Sequence, residues 1–99
     1  MLYLGSGEEL NMTVAELLEQ IGNRLLPLPY QLVSVQSPYD PKDIEPNALY
    51  FEVRVNSNGM MLFSEFTLRP SDDEITFSRR LRLAYLNCKS RMIQRERTL

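Results

Sequence analysis

The sequence predicts an α+β domain in the order helix, three antiparallel strands, helix (αβββα), on three observations. Residues 49–55 and 61–68 alternate apolar and polar residues with period two on either side of Asn58-Gly59. Thr13 opens an apolar run at helical spacing. Pro70 precedes a long stretch, from Ser71 to Arg97, in which the local residue preferences favour helix.

The central hairpin carries the most information. A type I′ turn needs positive φ at both central residues, which Asn and Gly adopt most cheaply. With Asn58 and Gly59 in that turn, Ser57 faces Met60, Val55 faces Leu62, Val53 faces Ser64, Phe51 faces Phe66 and Leu49 faces Leu68. The apolar members of these pairs then share one face, so turn chemistry and period choose the same register; a slip of one residue would invert it. The opposite face pairs Asn56 with Met61, Arg54 with Phe63, Glu52 with Glu65 and Tyr50 with Thr67. Arg54 beside Phe63 has the makings of a cation–π contact. Glu52 opposite Glu65 needs a cation, with Arg54 or Arg69 nearest to hand; bridged carboxylates explain this pair better than acid/base catalysis.

At 99 residues the chain is sized for one domain, and its 43% hydrophobic content suffices for a core without staples. A single cysteine excludes an internal disulfide. No apolar run approaches a membrane span and the start lacks a signal-peptide layout, so the expected location is cytoplasmic with no membrane partner. The net charge of −2 conceals a split. Residues 1–78 hold twelve of the thirteen acids and four bases, whereas residues 79–99 hold seven bases and Glu96 alone. An acidic body thus carries a basic end, which implies an internal electrostatic match or an acidic partner.

Residues 1–11 are expected to be a flexible or edge-strand segment ahead of a single domain over 12–99. The purine-rich codons that Gly7-Glu8-Glu9 requires also make Met12 a candidate natural start. Thr13 and Glu16 form a capping box, and Val14, Leu17, Leu18, Ile21 and Leu25 form a stripe expected to pack on the hairpin, with filling of a partner's groove as the rarer reading. Gly22 marks a close approach to the sheet or an early end of the helix, and Pro27 and Pro29 stop it. Residues 30–36 read as the third strand. Residues 37–48, with Pro38, Pro41 and Pro46, form a loop whose tip at Tyr39, Asp40, Lys42 and Asp43 offers partner contacts or is a stiffened crossover.

The C-terminal helix has a capping-box start at Ser71 and Glu74, acids at its positive pole and arginines towards its negative pole. At 1.5 Å per residue it runs on the order of 40 Å, longer than a three-stranded sheet demands. Phe77, Leu81, Ala84, Tyr85, Cys88 and Met92 form one stripe, while Ile75, Leu83, Leu86 and Ile93 lie roughly opposite. Alternating strands over residues 75–85 are the rival structural reading. The second apolar stripe, interleaved with Arg79, Arg82 and Lys89, has the composition of an interface.

Catalytic chemistry is sparse. The absence of histidine removes the commonest general base and metal ligand, Cys88 sits in the apolar stripe, and no phosphate-binding loop, dinucleotide fingerprint or metal-ligand spacing occurs. No catalytic residue, cofactor or metal is expected. The order helix, three strands, helix resembles the double-stranded-RNA-binding domain, but Asp72, Asp73 and Glu74 stand where that family places lysines and its Gly-Pro-X-His loop is missing, so the function does not carry over. The expected function is a small non-catalytic adaptor or modulator that binds a larger protein with an acidic or mixed patch, or pairs with itself, through Arg79, Arg82, Leu83, Leu86, Lys89 and Ile93. Phage-borne modulators of host machines share this size and acidity, by analogy only. The alternative is a nucleic-acid-binding accessory protein using Arg91, Arg95 and Arg97.

Overall fold

The structure is a computed structural model that describes residues 12–98; the expectations for residues 1–11 lie outside the described residues. Helix α1 (Val14–Leu25) is followed by strand β1 (Gln31–Val35), a loop with one 3-10 turn (Pro41–Asp43), strands β2 (Leu49–Ser57) and β3 (Met60–Leu68), and helix α2 (Glu74–Thr98). The strands form one antiparallel sheet in the order β1-β2-β3. The hairpin has the register its turn dictates, from Ser57 opposite Met60 to Leu49 opposite Leu68, with Asn58 at φ 51 and Gly59 at φ 84. Asn56 adds an acceptor for the Gly59 N–H at 3.0 Å.

One sheet face carries the core. Leu32, Phe51, Val53 and Val55 meet Phe77, Leu81, Ala84 and Cys88 of α2, and every one of these is buried. The inward α2 residues follow the predicted stripe, and residues 75–85 are helical. The helix is used along nearly its whole length. Nine-residue strands extend roughly 30 Å, and α2 runs from the end of β3 until Arg95 reaches the Ser57 carbonyl at the hairpin mouth, 3.3 Å away. Its length therefore reflects the sheet, not a surplus.

Helix side chains reach both free edges of the sheet. On the β1 edge, Asn23 of α1 donates to the Leu32 carbonyl at 3.0 Å and accepts from the Leu32 N–H at 2.7 Å, while Glu19, one turn earlier, accepts from Ser34 N–H at 2.7 Å. The two side chains stand in for a fourth strand. On the β3 edge, Arg80 donates to the Thr67 carbonyl at 2.7 Å and Arg91 donates to the Phe63 carbonyl. Unpaired edges invite strand addition and aggregation; here α1 takes up three main-chain groups of the short β1 edge, while α2 takes up two carbonyls of the longer β3 edge.

This edge role shifts α1 from its expected position. It packs against β1, not the hairpin, because Asn23 and Glu19 hold it over that border. Gly22 is the buried residue of α1, and a Cβ there would stand 2.2 Å from Leu32 Cδ2, so the glycine serves the close approach while the helix continues to Leu25. Leu18 reaches the core, but Val14 and Leu25 of the predicted stripe are 65% and 61% exposed.

The caps follow the same logic with one correction. The Thr13–Glu16 box forms in both directions, each bond 3.1 Å. The predicted Ser71–Glu74 box does not cap α2; Asp73 does, accepting from the Thr76 N–H at 2.9 Å. Pro70 sets a turn closed by the Asp72 N–H on the Arg69 carbonyl at 2.9 Å, and that turn takes up Ser71. Asp72 accepts in return from the Arg69 N–H and from Arg80. Those donors hold the Asp72 carboxyl below its usual range, with the Arg69 N–H foremost, and the Thr76 N–H does the same for Asp73. A carboxyl whose pKa is depressed on folding stabilises above its unfolded value, near 4, and loses that contribution as pH falls through the folded value. Urea midpoints are accordingly expected to fall below about pH 4, and Asp73→Asn should flatten that decline relative to the native chain.

The second sheet face lies partly under the 37–48 loop. Tyr39 packs on Phe63 with ring centroids 5.8 Å apart, and the Tyr50 hydroxyl accepts from the Glu45 N–H and donates to the Glu45 carbonyl. Arg69 grips the Glu45 carboxylate with two bonds of 2.8 Å. The expected Arg54–Phe63 contact gives way to these partners, since Arg54 turns to Glu52 at 2.8 Å.

Candidate docking surface on the helical layer

The outer side of α2 is set by the inner one. With about 100° per residue, a helix that commits Phe77, Leu81, Ala84 and Cys88 to the core must turn Leu83, Leu86 and Ile93 away from it. They are 61%, 43% and 40% exposed, and Ile75 joins them at the start of the helix. Arg79, Arg82 and Lys89 are exposed on the same side, and none of them forms an ion pair among the described residues. The Lys89 ammonium lies 5.8 Å from the Tyr85 ring centroid, and Tyr85 in turn packs edge-on against Tyr30 at 4.9 Å. The six predicted partner-binding residues therefore share one solvent-facing region.

The three residues assigned to nucleic acid are not alike. Arg91 and Arg95 donate to main-chain carbonyls of the hairpin, while Arg97 is exposed near the end of α2. Part of the basic charge that looked like a free tail belongs to the sheet's own edge.

A feature that sequence reasoning missed lies beside this surface. Two apolar hollows sit in line between α1 and α2. The first, of about 420 Å³, is lined by Val14, Leu18, Leu49, Leu68 and Phe77, with Asp72, Asp73 and Glu74 at its rim. The second, of about 410 Å³, lies between Leu25, Leu26 and Pro27 on one wall and Leu81, Arg82 and Tyr85 on the other. The signal was present in the α1 stripe, whose apolar width exceeds what a helix at a sheet border can bury.

Elsewhere the chemistry is structural. Glu52 is held by Arg54, and Glu65 accepts from the Tyr39 N–H at 3.0 Å. Among the described residues no group of three or more acidic, histidine or cysteine side chains is placed to hold a metal ion, and no helix is long and apolar enough to cross a membrane. Cys88 is fully enclosed, its Sγ 3.8 Å from the Leu62 carbonyl, and burial raises its thiol pKa. A thiolate-directed reagent is therefore expected to modify the native protein only as fast as it opens, with rapid, stoichiometric reaction in denaturant; fast labelling of the folded chain would contradict the packing. Compared with protein-family models, curated proteins and solved structures, the chain matches none.

Proposed function

We propose that this protein is a small non-catalytic adaptor or modulator that docks on a larger protein through the outer side of α2. What supports this reading is the coincidence of Leu83, Leu86 and Ile93, all exposed, with three cations that have no ion-pair partner among the described residues. Apolar side chains supply area to bury, and Arg79, Arg82 and Lys89 steer an acidic patch into register. Binding of this kind needs shape and charge, not a reactive group. The nucleic-acid alternative is weaker, because Arg91 and Arg95 already donate to the hairpin.

Affinity capture from the native host with the intact chain, beside Leu86→Asp as control, tests the reading. A protein retained by the first bait and lost with the second is expected, with unchanged far-UV circular dichroism of the variant. Recovery of the same proteins by both baits would remove the outer α2 side as the docking surface. Binding to a generic oligonucleotide tighter than about 100 µM, with a steep salt slope, would favour the alternative.

A further inference from the structure

We infer that the outer edge of β3 accepts an extended segment of a partner protein as a fourth strand, and that it selects a segment with a basic, an acidic and an aliphatic residue in succession. This surface belongs to the sheet, apart from the outer α2 side, and does not rest on the docking reading above.

The free groups follow from the turn. Opposite residues of an antiparallel pair alternate between exchanging both main-chain bonds and exchanging none. With Ser57 and Met60 bonded across the two-residue turn, Met61, Phe63, Glu65 and Thr67 turn their N–H and C=O groups away from β2, and β3 is a border of the sheet. Of those groups, only the Phe63 and Thr67 carbonyls have a partner among the described residues, Arg91 and Arg80. A carbonyl oxygen has two lone pairs, so neither arginine has to leave when a strand pairs there. On β1 the outward groups belong to Leu32 and Ser34, and α1 leaves only the Ser34 carbonyl without a partner among the described residues. Strand addition is thus directed to β3, where main-chain bonds supply affinity and alternating side-chain sites supply selection.

The two sides of that border carry opposite charge. Side chains of an added strand lie beside those of β3 on the same face. On the outer face a hollow of about 310 Å³ adjoins Glu65, Phe66 and Thr67, and its charged lining is Asp43, Glu45, Glu65 and Arg69. Arg69 is committed to Glu45 by two bonds, while Asp43 and Glu65 form no ion pair among the described residues. A lysine or arginine opposite Glu65 therefore meets two carboxylates. Opposite Phe63, on the same face, Tyr39 and Met61 are exposed and suit an aliphatic side chain. The residue between these two points to the helix side, where Arg91 has no carboxylate partner among the described residues, and an acid fits there. Arg80, further along, is already paired with Asp72. Antiparallel to β3, such a segment reads basic, acidic, aliphatic. A second copy does not meet the pattern: β3 against β3 sets Glu65 beside its equivalent on one face and Arg91 beside its equivalent on the other, and like charges across a strand pair are unfavourable.

Titration of the isotope-labelled full chain with the capped peptide Val-Thr-Lys-Glu-Val-Thr-Val, followed by amide NMR, tests this. In the free chain the Phe63 and Glu65 amides are expected to exchange at least tenfold faster than those of Leu62 and Ser64, which bond to β2. The peptide should shift and protect the Phe63, Glu65 and Thr67 amides saturably, with Kd on the order of 100 µM. Peptides with glutamate in place of lysine, or lysine in place of glutamate, should each bind about tenfold more weakly. A doubly basic peptide that binds as well or better would show a general attraction to the acidic body and overturn the inference. N-methylation of the peptide's lysine amide, which faces the Glu65 carbonyl, should abolish binding, whereas N-methylation of its glutamate amide, which points outward, should not; equal effects exclude strand addition. Glu65→Lys, with unchanged far-UV circular dichroism, should weaken the peptide about tenfold, and Leu86→Asp should leave it unchanged. No saturable shift below about 1 mM, or shifts confined to another surface, overturns the inference. Slow exchange at Phe63 and Glu65 in the free chain also overturns it: loss of that protection on dilution would make a second copy the occupant, and its loss in a chain carrying Leu2→Pro and Leu4→Pro would make residues 1–11 the occupant.

Discussion

Phe51→Ala is expected to lower the unfolding free energy by about 3–5 kcal/mol, the cost of removing a fully enclosed aromatic side chain and leaving a cavity. The ring has no exposed surface and is one corner of a three-ring cluster, 5.2 Å from Phe66 and 5.9 Å from Phe77 between centroids. It thus joins both strands of the hairpin to α2, and its loss weakens two interfaces at once. A chain of this length has roughly 5–15 kcal/mol in total, so the variant should be partly unfolded at moderate temperature. Urea unfolding followed by far-UV circular dichroism measures the change, with Phe51→Leu as the comparison that keeps most of the volume and loses only about 1 kcal/mol. A loss below about 1 kcal/mol for Phe51→Ala would mean that the α2–hairpin core tolerates a void there, contrary to its close packing.

The parts of the fold legible in the sequence were those where two independent rules agreed. At Asn58-Gly59 the demand for positive φ and the period-two pattern chose one register, and that register forms. In α2 the spacing of Phe77, Leu81, Ala84 and Cys88 identified the inner stripe and therefore the exposure of Leu83, Leu86 and Ile93. Apart from the Ser71 cap and the Arg54–Phe63 contact, which were lost to neighbours in the chain, misreadings arose where a polar side chain has its partner in another element. Nothing local distinguishes Arg91, which closes the edge at Phe63, from Arg79, which has no ion-pair partner among the described residues; the difference is which side of α2 faces β3. Asn23 looked like a surface residue of α1, yet its bonds to Leu32 move the helix to the sheet border and leave Val14 and Leu25 outside. The two hollows were only half legible: the apolar width of the α1 stripe was in the sequence, but the opposite walls belong to α2, and the separation of the helices is set by those bonds.

Asn23→Asp isolates that positioning bond with almost no change in shape. The native amide both accepts from the Leu32 N–H at 2.7 Å and donates to the Leu32 carbonyl at 3.0 Å. An ionised carboxylate keeps the first bond, cannot make the second and sets negative charge against a carbonyl oxygen. Leaving a part-buried acceptor unsatisfied costs about 1–3 kcal/mol, so at pH 7 the variant is expected to lose about 2 kcal/mol in urea unfolding. The sign of its pH dependence separates this account from simple loss of packing. Protonation restores a donor towards the Leu32 carbonyl, so folding raises the pKa of the new carboxyl above its unfolded value near 4. A raised pKa means that the folded state binds the proton more tightly, and the deficit relative to the native chain should shrink as pH falls through the folded value. The native chain, with Asp72 and Asp73 depressed, loses stability over the same acidic range, which makes the difference between the two proteins the quantity to follow. A deficit that stays constant or grows towards low pH would show that the Leu32 carbonyl does not need the Asn23 donor. With the bond weakened, α1 should also protect the β1 edge less well, visible as faster amide exchange at Leu32 and Ser34 than at Val53 in the middle of the sheet.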